Sequence, residues 1–463
     1  MTGVTLADSV LYGHLWGTDE TRALFDDRGR TQMWLHIIAA LAEAQAELGM
    51  VPARAAEAIR ARADVSLLDL DAVGEETRRT GHSTLGLIRV LQRGLDEEAR
   101  PWVYWGATVQ DVTDTWTGLV ARAMLDLVDR DLAAAGQTAR ALAERHRHAV
   151  MLGRTHGQPG LPITFGFKAA GWAAELRRHA ERAAEARPRI VVGQLAGAVG
   201  TLSSWGADGP ELQRRFLERL GLGVPDGSWL TARDRVAELV TLLALVTGTL
   251  ARIGNEVYNL QRPELGELSE ASGDEVVGSI TMPQKHNPEL SEHLVTLARV
   301  VRAAVAPALE GLVGEHERDG AAWKAEWAFL PSACTAAGAA LGAGVRLLDG
   351  LRVNTVRMRE NVEAQRGYVL AESVMTGLAE HVGRPRAHEV VHGAAARGSR
   401  GGQSLREALL ADADVTAHLG AQEIDELLRP ERALGAVDAL IDRALEGRPG
   451  AAAHPSPDPS TSR

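Results

Sequence analysis

The chain has 463 residues with 50 Lys+Arg against 61 Asp+Glu, and a formal net charge of -11 argues against general nucleic-acid binding. Hydrophobic residues at 45% and charged residues at 24% describe a globular protein, and the length exceeds one ordinary core. The lone cysteine, Cys334, excludes an internal disulfide framework and fits a reducing compartment. Residues 1–8 lack a basic region followed by an apolar run, so no signal peptide is expected and a cytoplasmic location is.

Aromatic residues make up only 4%, and alanine and leucine outnumber β-branched residues, which favours helix. Over residues 21–48, Leu24, Phe25, Trp34, Leu35, Ile38 and Leu41 recur at helical spacing. Shorter helices are expected over 53–63 and 85–95, separated at Gly81-His82-Ser83-Thr84. Longer helical patterns run over 112–148, 163–186 (stopping at Pro188), 234–260, 290–313 and 333–351. Five long rods joined by short irregular loops predict an all-α fold with a central long-helix bundle. The run 239–250 is too short to span a bilayer and reads as buried core, so no membrane partner is expected. The expected organisation is an N-terminal helical domain (1–105), the central bundle (106–351), a C-terminal helical domain (352–447) and a disordered tail (448–463).

Three loops between the rods concentrate polar groups: Gly106-Ala-Thr108-Val-Gln110-Asp111, Gly153-Arg-Thr155-His156-Gly-Gln158 and Gly278-Ser279-Ile-Thr-Met282-Pro-Gln-Lys285-His-Asn287-Pro288. The third sets a hydroxyl, a cation and an amide within a few residues, with Pro283 and Pro288 forbidding regular helix. Asp111 and Asp114 are read as caps of the helix that follows them. Metal binding finds no support at Glu315-His316-Glu317 or at His146 and His148, whose spacings do not face one helix side. No Walker or dinucleotide glycine pattern occurs, and no cofactor is expected.

The three loops together resemble the substrate-binding segments of the fumarase/aspartase superfamily over nearly the whole chain. The resemblance implies β-elimination from a succinate derivative to give fumarate, or a related cycloisomerisation. It also implies a homotetramer whose active sites draw their three segments from different subunits, acting on a small dicarboxylate. Ser279 matches the family's catalytic serine, with Ile280 where a second serine is common. Lys285 and Asn287 would stabilise the enolate-like carboxylate, and Met282 is placed with the substrate contacts. His156 matches the general acid of adenylosuccinate lyases, and Glu292 the glutamate that pairs with it. Thr155, Gln158, Thr108, Gln110 and His82 would add substrate contacts, with Val109 where a carboxylate-binding serine is usual.

Residues 25–30, Arg233-Asp-Arg235, Glu315-His-Glu-Arg318, Trp323-Lys-Ala-Glu-Trp327 and Gly383-Arg-Pro-Arg-Ala-His388 look like the 3-carboxy-cis,cis-muconate cycloisomerase group. Trp323 and Trp327 occupy the places where adenylosuccinate lyases put a serine and an arginine, which disfavours a nucleotide substrate. The expected substrate is a small substituted succinate losing ammonia, an amine or nitrite, nitrosuccinate lyase being a known member of this neighbourhood. The cycloisomerase is the alternative activity. A structural role on the inherited scaffold is the non-enzyme alternative, opposed by the joint presence of Ser279, Lys285, Asn287 and His156.

Overall fold

The computed structural model describes residues 5–271, 279–282 and 284–447. The chain is all-α, with two-stranded pairs as the only sheet among the described residues. It divides into two interleaved compact units: Met1–Leu132, His179–Arg252 and His293–Gly344 in the first, and Ala133–Arg178, Ile253–Glu292 and Val345–Arg463 in the second.

In the first unit the helix Asp27–Glu47 starts where the Asp26 carboxylate accepts the Gly29 N–H at 2.6 Å. Its Trp34 meets Trp116 edge to face at 6.4 Å, and Phe25 meets the same ring at 5.7 Å. Trp116 lies on the helix Val109–Arg145, whose Val112, Leu119, Val120 and Met124 are buried at helical spacing. The helix Asp234–Leu260 contributes Val236, Leu239, Val240 and Leu243 in the same manner.

The helix Gly320–Asp349 begins thirteen residues earlier than its apolar pattern suggests. Asp319 Oδ1 accepts the Ala321 and Ala322 N–H groups and starts it upstream of Pro331. The proline is carried inside the helix, where the Thr335 hydroxyl donates to its carbonyl at 2.8 Å. The helix Phe165–Ile190 likewise continues past Pro188, and Arg189 Nη1 donates to the Glu185 carbonyl at 2.8 Å. Asp234–Leu260 and Gly320–Asp349 are each long and apolar enough to cross a bilayer, which corrects the short-run reading. The most apolar window of each is 67% buried in the protein, as expected of core helices.

The second unit holds the C-terminal core, where Val374, Leu378, Val391, Leu405, Leu409 and Ile424 are buried together. It also holds an antiparallel hairpin that helical periodicity did not predict, Val150–Thr155 paired with Gln158–Thr164. Val150 and Leu152 on its inner face pack with Val362 of the helix Thr355–Glu363.

Candidate active site

The hairpin carries the second polar segment. Thr155 pairs with Gln158, leaving His156 and Gly157 as a two-residue turn with φ of 53° and 73°. Positive φ at both central positions is the mirror-image turn that matches strand twist. His156 therefore stands at the tip of a pinned hairpin, exposed together with Thr155 and Gln158. Among the described residues its ring has no hydrogen-bond partner within the chain, Glu292 included.

Arg154 anchors the base of the hairpin. Its Nη1 and Nη2 donate to Glu267 Oε2 and Oε1 at 2.8 and 2.6 Å, and the Glu267 side chain is fully buried. Asn361 Nδ2 adds a third donor to Glu267 Oε1 at 2.7 Å. A fully buried carboxylate is tolerable only because these donors satisfy it.

The third segment also belongs to the second unit. Ser279 is half-buried, and its Oγ accepts the Met282 N–H at 3.1 Å, closing a local turn. Lys285 is exposed, and its N–H reaches the Met282 carbonyl at 3.0 Å. Met282 is 43% and Ile280 97% exposed. Asn287 is half-buried, and its Nδ2 lies 3.4 Å from Glu289 Oε1. The helix Glu289–Ala303 follows, with Glu292 exposed in its first turn. Gly278 and Pro283 lie outside the described residues.

The first segment lies in the other unit and opens with Tyr104 and Gly106 at φ of 63° and 77°. A Cβ on Gly106 would sit 2.8 Å from the Trp205 ring, so the turn requires glycine. Asp111 Oδ2 accepts the Thr108 N–H at 2.8 Å, the capping role expected of it, while Oδ1 accepts the Ala196 N–H at 2.7 Å. Burial pushes the Asp111 carboxyl up to about 7. Thr108 is half-buried and its hydroxyl accepts from Arg318 Nη2 at 3.0 Å. Gln110 is fully buried, its Nε2 donating to the Leu230 carbonyl at 3.1 Å and lying 3.3 Å from Asp114 Oδ2.

Asp114 does not cap the helix. It joins Arg233 and Glu326 in a buried triad, with Arg233 Nη1 and Nη2 at 3.0 Å from Asp114 and Nε at 2.7 Å from Glu326. His82 is exposed, and its Nδ1 accepts the Leu85 N–H at 3.3 Å, at the start of the helix Leu85–Arg93. That contact assigns the proton to Nε2 in the neutral ring. Trp323 and Trp327 meet edge to face at 5.2 Å. Trp327 also lines a cavity of about 500 Å³ with Trp16, Arg22 and Phe25.

No group of three metal-ligating side chains occurs among the described residues. His388 and His392 do stand one turn apart on the helix Arg384–Arg400, with stacked rings 5.8 Å apart, a spacing that the sequence reading did not single out. Glu389 between them accepts from Arg386 Nη1 at 2.8 Å, and no third ligand joins the pair among the described residues.

Sequence reasoning singled out exposed groups such as His156 and Lys285, together with the buried Gln110, and missed the long-range pairs that hold the segments. Glu267 is 113 residues from Arg154, and no local pattern announces the pair. In chemical terms the two second-unit segments offer solvent a hydroxyl, an ammonium, an amide and an imidazole. These are the groups required to take a proton beside a carboxylate and return one to a departing heteroatom.

A lyase family model matches residues 16–303, and a model described as the adenylosuccinate lyase C-terminus matches residues 367–444. An N-acetyl-S-(2-succino)cysteine lyase of Dickeya dadantii is 37% identical over 440 residues, covering 95% of this chain and 97% of the relative. A 3-carboxy-cis,cis-muconate cycloisomerase of Pseudomonas aeruginosa is 39% identical over 427 residues, covering 92% of this chain and 93% of the relative. Among solved structures, a fumarate lyase from Mesorhizobium sp. BNC1 superposes with a TM-score of 0.87 at 36% identity. That match covers 94% of this chain and 99% of the other.

Proposed function

This chain belongs to the lyase family of the fumarase/aspartase superfamily, and from that premise we propose that it releases fumarate from a small substituted succinate by β-elimination. Ser279, acting as its alkoxide, takes the proton from the methylene carbon next to the one that bears the leaving group and becomes the neutral hydroxyl. The C–H electron pair becomes the new double bond, and the bond to the substituent breaks with its pair going to the leaving group. His156, backed by Glu292 in the assembled site, gives that group a proton. Lys285 and Asn287 face the carboxylate on which negative charge accumulates, with Thr155, Gln158, Thr108, His82 and Met282 shaping the rest. Gln110, sealed inside the first unit, serves by holding the start of the helix Val109–Arg145.

The observation that carries this reading is the exposure of Thr155, His156, Gln158 and Lys285 on the pinned hairpin and signature loop of a chain matched by lyases over nearly its full length. Exposed catalytic segments are what a site completed by other subunits requires, so the proposal includes a homotetramer. The Dickeya relative extends the leaving groups under consideration from ammonia, amines and nitrite to a thiol. Trp323 and Trp327, standing where adenylosuccinate lyases put a serine and an arginine, remove polar partners that a nucleotide would need and so favour a compact substituent.

The test is fumarate release, followed by its ultraviolet absorbance, from a panel of succinates substituted at C2 with thioether, amine and nitro groups. At least one should turn over, and silence across the panel would overturn the reading. The 39% identity to a carboxymuconate cycloisomerase supports a second reading, lactone formation from carboxymuconate with no fumarate released, and adding carboxymuconate to the panel separates the two.

A further inference from the structure

Between the helix Asp234–Leu260 and the signature loop runs a short stretch, residues 261–271, that no functional assignment above uses. Its centre is the two-residue strand Leu268–Ser269, paired with Arg352–Val353. At one end of this strand is Glu267, whose carboxylate holds Arg154 at the base of the His156 hairpin. At the other end is Glu270, whose Oε1 and Oε2 accept the Ser291 and Leu290 N–H groups at 2.7 and 3.1 Å. Those two amides belong to the first turn of the helix Glu289–Ala303, which have no acceptor inside the helix. A carboxylate there also meets the positive end of the helix dipole. Gln261 completes the arrangement, its Oε1 accepting the Glu270 N–H at 2.8 Å and its Nε2 donating to the His286 carbonyl at 3.3 Å.

The backbone of the stretch is itself fixed. The Glu267 N–H donates to the Leu260 carbonyl at 2.9 Å, and the Asn354 N–H donates to the Glu267 carbonyl at 3.0 Å. Side chains alternate sides along a strand, so positions 267 and 270 face opposite ways and reach different segments. Neither carboxylate is placed to touch substrate, because each is occupied by protein donors.

We infer that Glu267 and Glu270 are positioning residues for the proposed elimination. Glu267 fixes the hairpin that presents His156, and Glu270 fixes the end of the loop that presents Lys285 and Asn287. The inference rests on the elimination reading for its catalytic consequence but not for its structural one. Reacting groups displaced by about 1 Å lose on the order of a hundredfold in rate. An isosteric loss of one charge displaces them less.

The experiment uses the full chain and the variants Glu267→Gln and Glu270→Gln, which keep shape and one acceptor. Each should lower kcat about tenfold, with a smaller change in KM, at unaltered oligomeric state. Glu270→Ala should lose more than Glu270→Gln, the amide restoring part of the rate. A role confined to stability would lower the melting temperature and leave kcat per folded site at the wild-type value, and that result overturns the inference.

Amide hydrogen exchange provides a readout that needs no substrate. Glu270→Gln should speed exchange over residues 285–292 and leave 150–158 unchanged, and Glu267→Gln should do the reverse. Wild-type exchange in both variants, or a uniform rise across the chain, refutes the inference even if no substituted succinate turns over. Should wild-type protein fail on every substrate while the exchange pattern appears, the elimination reading falls and the structural coupling stands.

Discussion

Arg233→Met tests the most concentrated electrostatic feature of the molecule. Arg233 is 2% exposed and its five N–H donors are all engaged, by Asp114, by Glu326 and by the Trp229 carbonyl at 3.1 Å. Its burial is tolerated because two carboxylates surround it, and theirs because it does. Methionine preserves much of the volume and removes the only cation that the triad contains. Asp114 and Glu326, both already raised by desolvation, are then left as two buried carboxyls within one cluster.

Removing one member of such a group costs about 3–5 kcal/mol, roughly a third to a half of a typical domain's stability. The folded-state carboxyl pKa values rise further above their unfolded values. The variant's stability should therefore be highest at low pH and fall as pH rises through the folded-state values. Urea unfolding at several pH values, followed by circular dichroism, measures both effects. A loss below about 1 kcal/mol with no steeper pH dependence than wild type would refute the electrostatic account of this core.

Asp111→Asn should flatten one component of the pH profile. With the folded carboxyl raised to about 7 against an ordinary 3.8, stability from this group is present below pH 4 and lost as pH rises towards 7. The wild-type minus variant difference should shrink over that window by on the order of 4 kcal/mol, and a constant difference would contradict the assignment. His156→Ala should slow amine-releasing substrates by about 10²–10⁴-fold and nitrite-releasing ones far less, since nitrite departs without a proton. Equal losses on both, measured by fumarate release, would show that His156 is not the leaving-group acid.

The helices were legible because their cores are built on recurrence. The helix Asp234–Leu260 matches its sequence reading end to end, with Val236, Leu239, Val240 and Leu243 on its buried side and Pro263 beyond its last turn. Prolines misled because two helices run through them, Gly320–Asp349 through Pro331 and Phe165–Ile190 through Pro188. The hairpin was illegible because Gly153, Gly157, Gly160, Pro159 and Pro162 erase the alternation that marks a strand. Its register also shifts between Leu152 and Arg154, which breaks the pairing of the two strands.

At the site, Ser279, Lys285 and Asn287 were legible because their residue types are unusual together on one loop, whereas His156 was singled out by the family resemblance. The supporting pairs were not legible. Arg154 with Glu267, and Glu270 with the amides of Leu290 and Ser291, join positions whose separation carries no periodicity. Gln110, a polar residue of the first segment, is buried in the first unit, where its Nε2 donates to the Leu230 carbonyl and its Oε1 has no partner among the described residues.

The most direct measurement is turnover by Ser279→Ala on whichever substituted succinate the wild-type protein converts. The account predicts a loss of about 10²–10⁴-fold or more in kcat at an unchanged melting temperature and oligomeric state. Wild-type turnover in that variant would contradict it, because the proton would then be leaving by another route.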